Sequence, residues 1–275
     1  MTLTRGEVLD LLERHQLRPS RALGQNFVTD PNTVRRIARL AEVGAGDRVI
    51  EVGAGLGSLT LALAETGASV TAVEADKYLV PVLRTVVEGA GVDVVEGDAL
   101  RLDWAALLGN DRWVLVANLP YNIATPLIVE LLERAPGIER MLVMVQREVA
   151  ERLAAPAGAG ARGGVSVKVE YWASAAVVGR VPASVFVPRP NVESALVRLD
   201  RHASPLADVE RAALFALVDK GFGQRRKMLR RSLSGVVDPD CFDDAEVAPS
   251  ARPEELTLDA WARLTRCASS TPRPS

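Results

Sequence analysis

The stretch VIEVGAGLGSLT, Val49–Thr60, decides the fold. It reads as a short apolar strand, a glycine loop and the first turn of a helix. Glycine carries no Cβ, so such a loop lets the backbone approach a ligand closely, and the helix start that follows favours negative charge. The glycines are spaced Gly53-x-Gly55-x-Gly57. A dinucleotide enzyme seats its pyrophosphate with G-x-G-x-x-G, so the loop points away from a nicotinamide site.

Outward from this loop, strands alternate with helices. SVTAVEAD is a second strand ending near Glu74, VDVVEGDA a third ending near Asp98, WVLVANLPY a fourth and MLVMVQ a fifth. The segments Leu59–Ala64, Lys77–Glu88, Ile123–Arg134 and Arg147–Leu153 read as the helices between and after them. Alternation of this kind predicts an α/β fold, a parallel sheet with helices on both faces. Glu74 falls about 20 residues beyond the loop, where a carboxylate accepts the ribose hydroxyls of an adenosine. Asp98 ends the next strand and is placed to accept the exocyclic amine of adenine. A ribose-binding Glu and an adenine-binding Asp on successive strand ends resemble the class I (Rossmann-like) methyltransferase sheet, with S-adenosyl-L-methionine as cofactor. The plainer reading of Asp98, a loop cap, stays open here.

The fourth strand runs into VLVANLPYNIATP, Val114–Pro126. Ligands of open α/β sheets sit outside the carboxyl ends of the strands, so this is where a methyl group and its acceptor would meet. The amine of adenine is a poor nucleophile because its lone pair is delocalised into the ring. An acceptor need only hold it in line and take hydrogen bonds from its N–H groups. The Asn118 side-chain amide and the Leu119 carbonyl suit that task, Pro120 fixes the turn, and Tyr121 offers a ring on which a flipped base stacks. Such stacking is worth roughly 1–3 kcal/mol.

Ahead of the sheet, Arg5–His15 has a helical stripe of Val8, Leu11 and Leu12. Asp30-Pro31 then opens a helix whose buried face is Val34, Ile37, Ala38 and Ala41. Behind the sheet, AAPAGAGARGG (154–164) is a mobile loop by composition. Val165–Ala176 and Ser194–Leu199 read as late strands able to pair antiparallel at the sheet edge. After Asp200 only helices are expected, at Leu206–Phe222, Arg225–Leu233 and Pro253–Thr265, before a disordered tail SSTPRPS. The expected division is a catalytic, cofactor-binding domain at 1–200 and a small all-helical domain at 201–275.

The balance of 48% hydrophobic and 25% charged residues is that of a globular chain, and the net charge of −2 means that any nucleic-acid-binding charge is local. Lys220, Arg225, Arg226, Lys227, Arg230 and Arg231 supply it. Read as one helix, they place Lys227, Arg230 and Arg231 on one face, with Arg18 and Arg21 as a second contact. Phosphate binding by such a cluster makes affinity fall steeply with salt. The two cysteines, Cys241 and Cys267, form no C-x-x-C; that argues against a disulfide framework or a cysteine zinc site and suits a reducing cytoplasm. His15 and His202 are isolated and read as surface residues, so no metal is expected. No apolar run approaches the roughly 20 residues of a membrane helix, and MTLTRGEVLDLLERH lacks a signal-peptide core. A soluble, cytoplasmic monomer is the simplest expectation.

LGQNFVTD (Leu23–Asp30), EVGAGLGSLT, VEAD, EGDAL, NLPYNIATP, VMVQREVAERL, FVPRPNVESALVRL (Phe186–Leu199) and FGQRRKMLRRSL (Phe222–Leu233) together resemble the ribosomal RNA adenine dimethyltransferase family, small-subunit type, over Pro19–Leu233. The resemblance implies that Asn26 and Val28 close the cofactor pocket with Gly53, Gly55, Glu74, Asp98 and Asn118. It implies that Phe186 stacks on the target adenine opposite Tyr121, where the residues alone give a core phenylalanine. It further implies dimethylation of two adjacent adenosines in the 3′-terminal hairpin of 16S rRNA, within a partly assembled small subunit. One departure is Ala161-Arg162-Gly163-Gly164, where the family often has Tyr-Gly. Rival readings are a 23S rRNA dimethylase of the macrolide-resistance type, a mainly non-catalytic small-subunit assembly factor and, more distantly, a nucleotide-dependent oxidoreductase.

Overall fold

The computed structural model describes residues 2–20 and 23–270; Arg21 and the last five residues of the tail lie outside them. The chain divides into two compact units, 1–150 with 176–201, and 151–175 with 202–275.

In chain order the first unit begins with α1 (Arg5–Arg14), β1 (Phe27–Val28), α2 (Pro31–Ala41), β2 (Arg48–Val52), α3 (Ser58–Ala64), β3 (Ser69–Glu74) and α4 (Val80–Val86). It continues through β4 (Asp93–Glu96), α5 (Trp104–Leu108), β5 (Trp113–Asn118), α6 (Ala124–Arg134) and β6 (Ile138–Gln146). After α7 (Arg147–Leu153) and α8 (Gly164–Trp172) come β7 (Ala173–Val181), β8 (Phe186–Val187) and β9 (Ser194–Arg201). The second unit ends with α9 (Arg211–Gly223), α10 (Leu229–Ser232), α11 (Asp240–Asp244) and α12 (Leu258–Ser270).

Local chemistry sets these boundaries. Thr4 and Glu7 close a capping box on α1. Asp30 accepts the backbone N–H of Asn32 and Thr33, Pro31 takes the first turn of α2, and Val34, Ile37, Ala38 and Ala41 are buried, as the stripe required.

The main sheet has the order β4-β3-β2-β5-β6-β9-β7. β2 pairs in parallel with β3 and β5, β3 with β4, and β5 with β6. Covered on both faces, the central strands are near-continuous apolar runs. The register sets Val52 beside Val73 and Glu74 beside Glu96, so the segments after β2, β3, β4 and β5 emerge along one edge. β9 runs antiparallel to β6, pairing Ser194 with Gln146 at the same edge. A separate two-stranded ribbon joins β1 to β8, Phe27 opposite Val187 and Val28 opposite Phe186.

The structure corrects the sequence reading in five places. Val165–Trp172 is helix rather than strand: Val167 and Tyr171 pack among Phe215, Leu233 and Trp261 in the helical unit, so tertiary packing overrides the β-branched alternation. Residues 151–175 thereby belong with the helical unit rather than within the expected 1–200 domain. The glycine-rich loop at 154–164 is held, not loose. The Arg162 guanidinium, 1% exposed, donates to the Ala155 carbonyl and pairs with Glu170, and the Gly158 N–H reaches the Glu254 carbonyl. Cys241 and Cys267 are joined in a disulfide between α11 and α12, because helix packing brings together positions that are distant in sequence. His202 is half-buried rather than a plain surface residue: its Nε2 is buried and has no hydrogen-bond partner among the described residues.

The helical unit is built around Trp261, fully buried against α9. A Cβ on Gly221 would stand 2.6 Å from the Trp261 ring. Alanine normally stabilises a helix interior by about 1 kcal/mol over glycine, but here the rigid indole cannot yield. Gly221→Ala should therefore destabilise the protein by about 1–3 kcal/mol in urea unfolding, opposite in sign to the propensity scale.

Candidate active site and cofactor cavity

The aligned strand ends open into a cavity of about 390 Å³. The glycine loop forms its floor. Gly55 has φ of +60°, which only glycine adopts freely, and a Cβ there would meet the Phe27 ring at 3.1 Å. The Gly55 N–H donates to Glu74 Oε2 at 2.7 Å, and the Asp76 N–H donates to Glu74 Oε1 at 2.8 Å. Two backbone donors thus fix the carboxylate at the end of β3. Burial raises the Glu74 pKa above its ordinary value, against the opposing pull of these hydrogen bonds.

Asp98 lines the same cavity from the loop after β4. Its Oδ1 accepts the Leu100 N–H at 3.0 Å, so it is a loop cap as well as a cavity residue. The two readings of Asp98 are compatible, since a carboxylate oxygen has more than one lone pair.

Asn118 closes β5. Its Nδ2 donates to the Asn26 backbone carbonyl at 3.0 Å. A carbonyl can only accept, so the amide nitrogen must face Asn26, and this bond leaves the Oδ1 acceptor unspent. The hydrogen bonds of the turn run from Ile123 and Ala124 N–H to the Pro120 carbonyl, leaving the Leu119 carbonyl outside them. Asn26, Val28, Leu119, Pro120 and Tyr121 all line the cavity. The segment carrying Asn26 is anchored by Gln25, whose Nε2 donates to Asp76 Oδ2 at 2.8 Å.

Most of the sequence-derived site residues are therefore brought together: Asn26, Val28, Gly53, Gly55, Glu74, Asp98, Asn118, Leu119, Pro120 and Tyr121 share one cavity. Phe186 does not join them. It is 1% exposed, packs in the core with Val34, Ile37 and Val181, and is absent from the cavity lining. In this conformation it is the core residue that the sequence alone suggested, because β8 pairs it with β1.

The basic stretch also differs from its expected form. Arg225–Met228 is turn and extended chain, and helix resumes only at Leu229, where the Leu229 and Arg230 N–H groups bond to Ala251 and Pro249 carbonyls. The single helical face falls away with it. Arg226, Lys227, Arg230 and Arg231 are exposed, whereas Arg225 is engaged with the Gly160 carbonyl and the Glu254 carboxylate. Arg18 is exposed, and Arg21 lies outside the described residues.

Two residues that bear on the site were missed. Glu51 sits in β2, 1% exposed, with Oε2 lacking any hydrogen-bond partner among the described residues. Burial, reinforced by the neighbouring Glu74 charge, pushes its pKa up to about 8. The signal was a lone charge in an apolar strand. The other is Ser194, which does not line the cavity but whose Oγ meets the hydroxyl of the lining residue Tyr121 at 2.7 Å; it falls within the FVPRPNVESALVRL motif, where nothing singles out its hydroxyl.

Three carboxyl groups, Glu51, Glu74 and Asp98, line the cavity, with no lysine or arginine among the described lining residues. This suits a ligand bearing positive charge. An adenosine with a sulfonium and an ammonium fits the set: Glu74 for ribose, Asp98 for adenine, the glycine loop for close approach. Among the described residues no cluster is arranged to hold a metal ion, and no helix is long and apolar enough to cross a membrane.

This sheet and this site define a class I S-adenosylmethionine-dependent methyltransferase. A family model described as ribosomal RNA adenine dimethylase matches residues 15–268. A protein of Acidothermus cellulolyticus named ribosomal RNA small subunit methyltransferase A is 44% identical, covering 94% of this chain and 92% of its own. One of the same name from Cutibacterium acnes is 47% identical over 90% of this chain and 88% of its own. Among solved structures, the 23S rRNA methyltransferase ErmE has a TM-score of 0.68 at 28% identity, over 89% of this chain and all of its own. A dimethyladenosine transferase from Plasmodium falciparum has the same fold, with a TM-score of 0.74 at 23% identity over 86% of this chain and 95% of its own. The chain belongs to the ribosomal RNA adenine dimethylase family and is an S-adenosylmethionine-dependent enzyme.

Glu51 gives a pH test. At low pH both folded and unfolded chains keep its proton. As pH rises past the ordinary carboxylate value of 4.5 the unfolded chain releases it, while the folded chain holds it until about 8. Folding then takes up a proton, so stability falls across this window and the loss is complete above it. Glu51→Gln should melt higher than the parent at pH 8 and no higher near pH 4, measured by thermal unfolding without cofactor.

Proposed function

We propose that the protein dimethylates the 6-amino groups of two adjacent adenosines in the 3′-terminal hairpin of 16S rRNA during assembly of the small ribosomal subunit. The observation that carries this reading is the Asn118 amide, turned by the Asn26 carbonyl so that its oxygen is left for an incoming amine. The small-subunit relatives, similar over nine-tenths of the chain, support the choice of RNA.

S-adenosylmethionine, when bound by Gly53, Gly55, Glu74, Asp98, Asn26 and Val28, supplies an electrophilic methyl group. The protein's task is to position the acceptor. Asn118 Oδ1 and the Leu119 carbonyl take hydrogen bonds from the adenine amine, which draws its lone pair out of conjugation and towards the methyl. Tyr121 gives the base a face to stack on. Holding both partners in contact geometry removes much of the entropic barrier of a bimolecular step. The cavity's own carboxyl groups make it a poor place for phosphates. Those are held in the helical unit by Arg226, Lys227, Arg230 and Arg231, with Arg225 reassigned to fixing the 154–164 loop. The substrate, rather than the cysteines, carries the assignment to the cytoplasm, where ribosomal subunits assemble.

Labelled S-adenosylmethionine incubated with small subunits lacking the modification should give dimethyladenosine in the 3′-terminal hairpin, and Asn118→Ala should abolish it. Label confined to large subunits would assign the protein to the resistance-type dimethylases. No label, with tight binding to immature subunits, would leave an assembly factor. Replacing Arg230 and Arg231 together by Gln should flatten the salt dependence of RNA affinity, by about 0.7 in the log–log slope for each phosphate no longer neutralised. The rate at saturating RNA should not change.

A further inference from the structure

Tyr121 is the ring on which the proposed function seats the target base, so what holds that ring matters. Its hydroxyl lies 2.7 Å from Ser194 Oγ. Ser194 is 0% exposed, and the phenol is the side-chain partner of its hydroxyl. The position of Ser194 follows from topology. A parallel β9 would begin at the opposite edge of the sheet, but β9 is reversed and starts beside Gln146, on the edge along which the strand ends that line the cavity emerge. The residue before it is pinned as well: the Arg147 N–H donates to the Glu193 carbonyl at 2.9 Å, and the Arg147 guanidinium pairs with the Glu193 carboxylate at 3.0 Å. The Ser194 hydroxyl is thus a fixed post.

A phenol ring held at Cβ and at its hydroxyl cannot swing sideways. Only rotation about its long axis remains. Burial keeps the phenol protonated, with its pKa above the ordinary value, so the bond persists through the neutral range.

We propose that Ser194 is a positioning residue for the target adenine, holding the Tyr121 ring where the base stacks and thereby setting both RNA affinity and progress from the first methyl to the second. The second transfer is the more demanding. The acceptor is then a methylamino group, bulkier than the amine, and a ring free to drift into the cavity takes the space which that methyl needs. Loosening the ring should therefore penalise the second transfer more than the first. This inference rests on the stacking role given to Tyr121 above.

Ser194→Ala, Tyr121→Phe and the double variant test it on unmodified small subunits. Each single change removes the same hydrogen bond from one end, and Tyr121→Phe does so without altering β9. The KM for RNA should rise about 2- to 10-fold, the range expected for one hydrogen bond. Monomethyladenosine should accumulate, while affinity for S-adenosylmethionine stays within about twofold. The double variant should be no worse than either single one. Unchanged RNA KM and unchanged product ratio in both single variants would overturn the proposal, as would additive effects in the double. Tyr121→Ala separates the two levels of argument. If it too leaves the RNA KM unchanged, the stacking role itself fails; if it raises KM while Ser194→Ala does not, only the positioning role fails.

Discussion

The hydrogen bond from Asn118 Nδ2 to the Asn26 carbonyl joins two parts of the chain that sequence keeps far apart. One is the carboxyl end of β5, where the proposed function holds the reacting amine. The other is the segment between α1 and α2 that lines the cofactor cavity. Because a backbone carbonyl accepts and never donates, the bond fixes which end of the amide faces the cavity. In the proposed reaction Asn118 thus uses both of its ends, one to be held and one to act. Aspartate in its place would have no donor to offer Asn26, and alanine would offer neither group.

The electrostatics follow the same division of labour. The cavity collects carboxyl groups without a lysine or arginine among its described lining residues, a preference for positive charge built into the strand ends. Glu74 is satisfied by backbone donors, whereas Glu51 is buried with an unpartnered oxygen. A buried carboxylate short of donors is costly, and the group responds by holding its proton. The cations that a polyanionic substrate requires are exposed in the helical unit instead.

Much of this was legible in the sequence, where short-range rules apply. The alternation of strands and helices, the Asp30 cap, the stripe on α2 and the strand-end positions of Glu74, Asp98 and Asn118 all depend on residues close together in the chain. The misreadings share the opposite cause. VSVKVEYW alternates like a strand, yet its apolar positions are claimed by the core around Trp261. The glycines at 154–164 suggest looseness, but Arg162 binds the loop back on itself and onto α8. The basic run looks helical until distant carbonyls at Pro249 and Ala251 take its N–H groups. Phe186 is likewise placed by a distant pairing: resemblance implies a role at the site, and in this structure the pairing of β8 with β1 sets it in the core. Ser194 is significant only through a partner 73 positions away.

The ribbon of β1 and β8 sets a timetable for the chain. The Thr29 N–H and hydroxyl both reach the Val185 carbonyl, 156 positions away, directly beside the segment that lines the cavity. Pairings between such distant positions close large loops and form slowly. During synthesis, residues 27–29 have no strand partner until the chain beyond Val187 has been made, whereas β2, α3 and β3 are already complete. The glycine loop is therefore available early and the ribbon late. A nascent chain passes through a stage in which the glycine loop and its flanking strands are made but the ribbon is still unpaired, and that stage lasts until two-thirds of the polypeptide is in place.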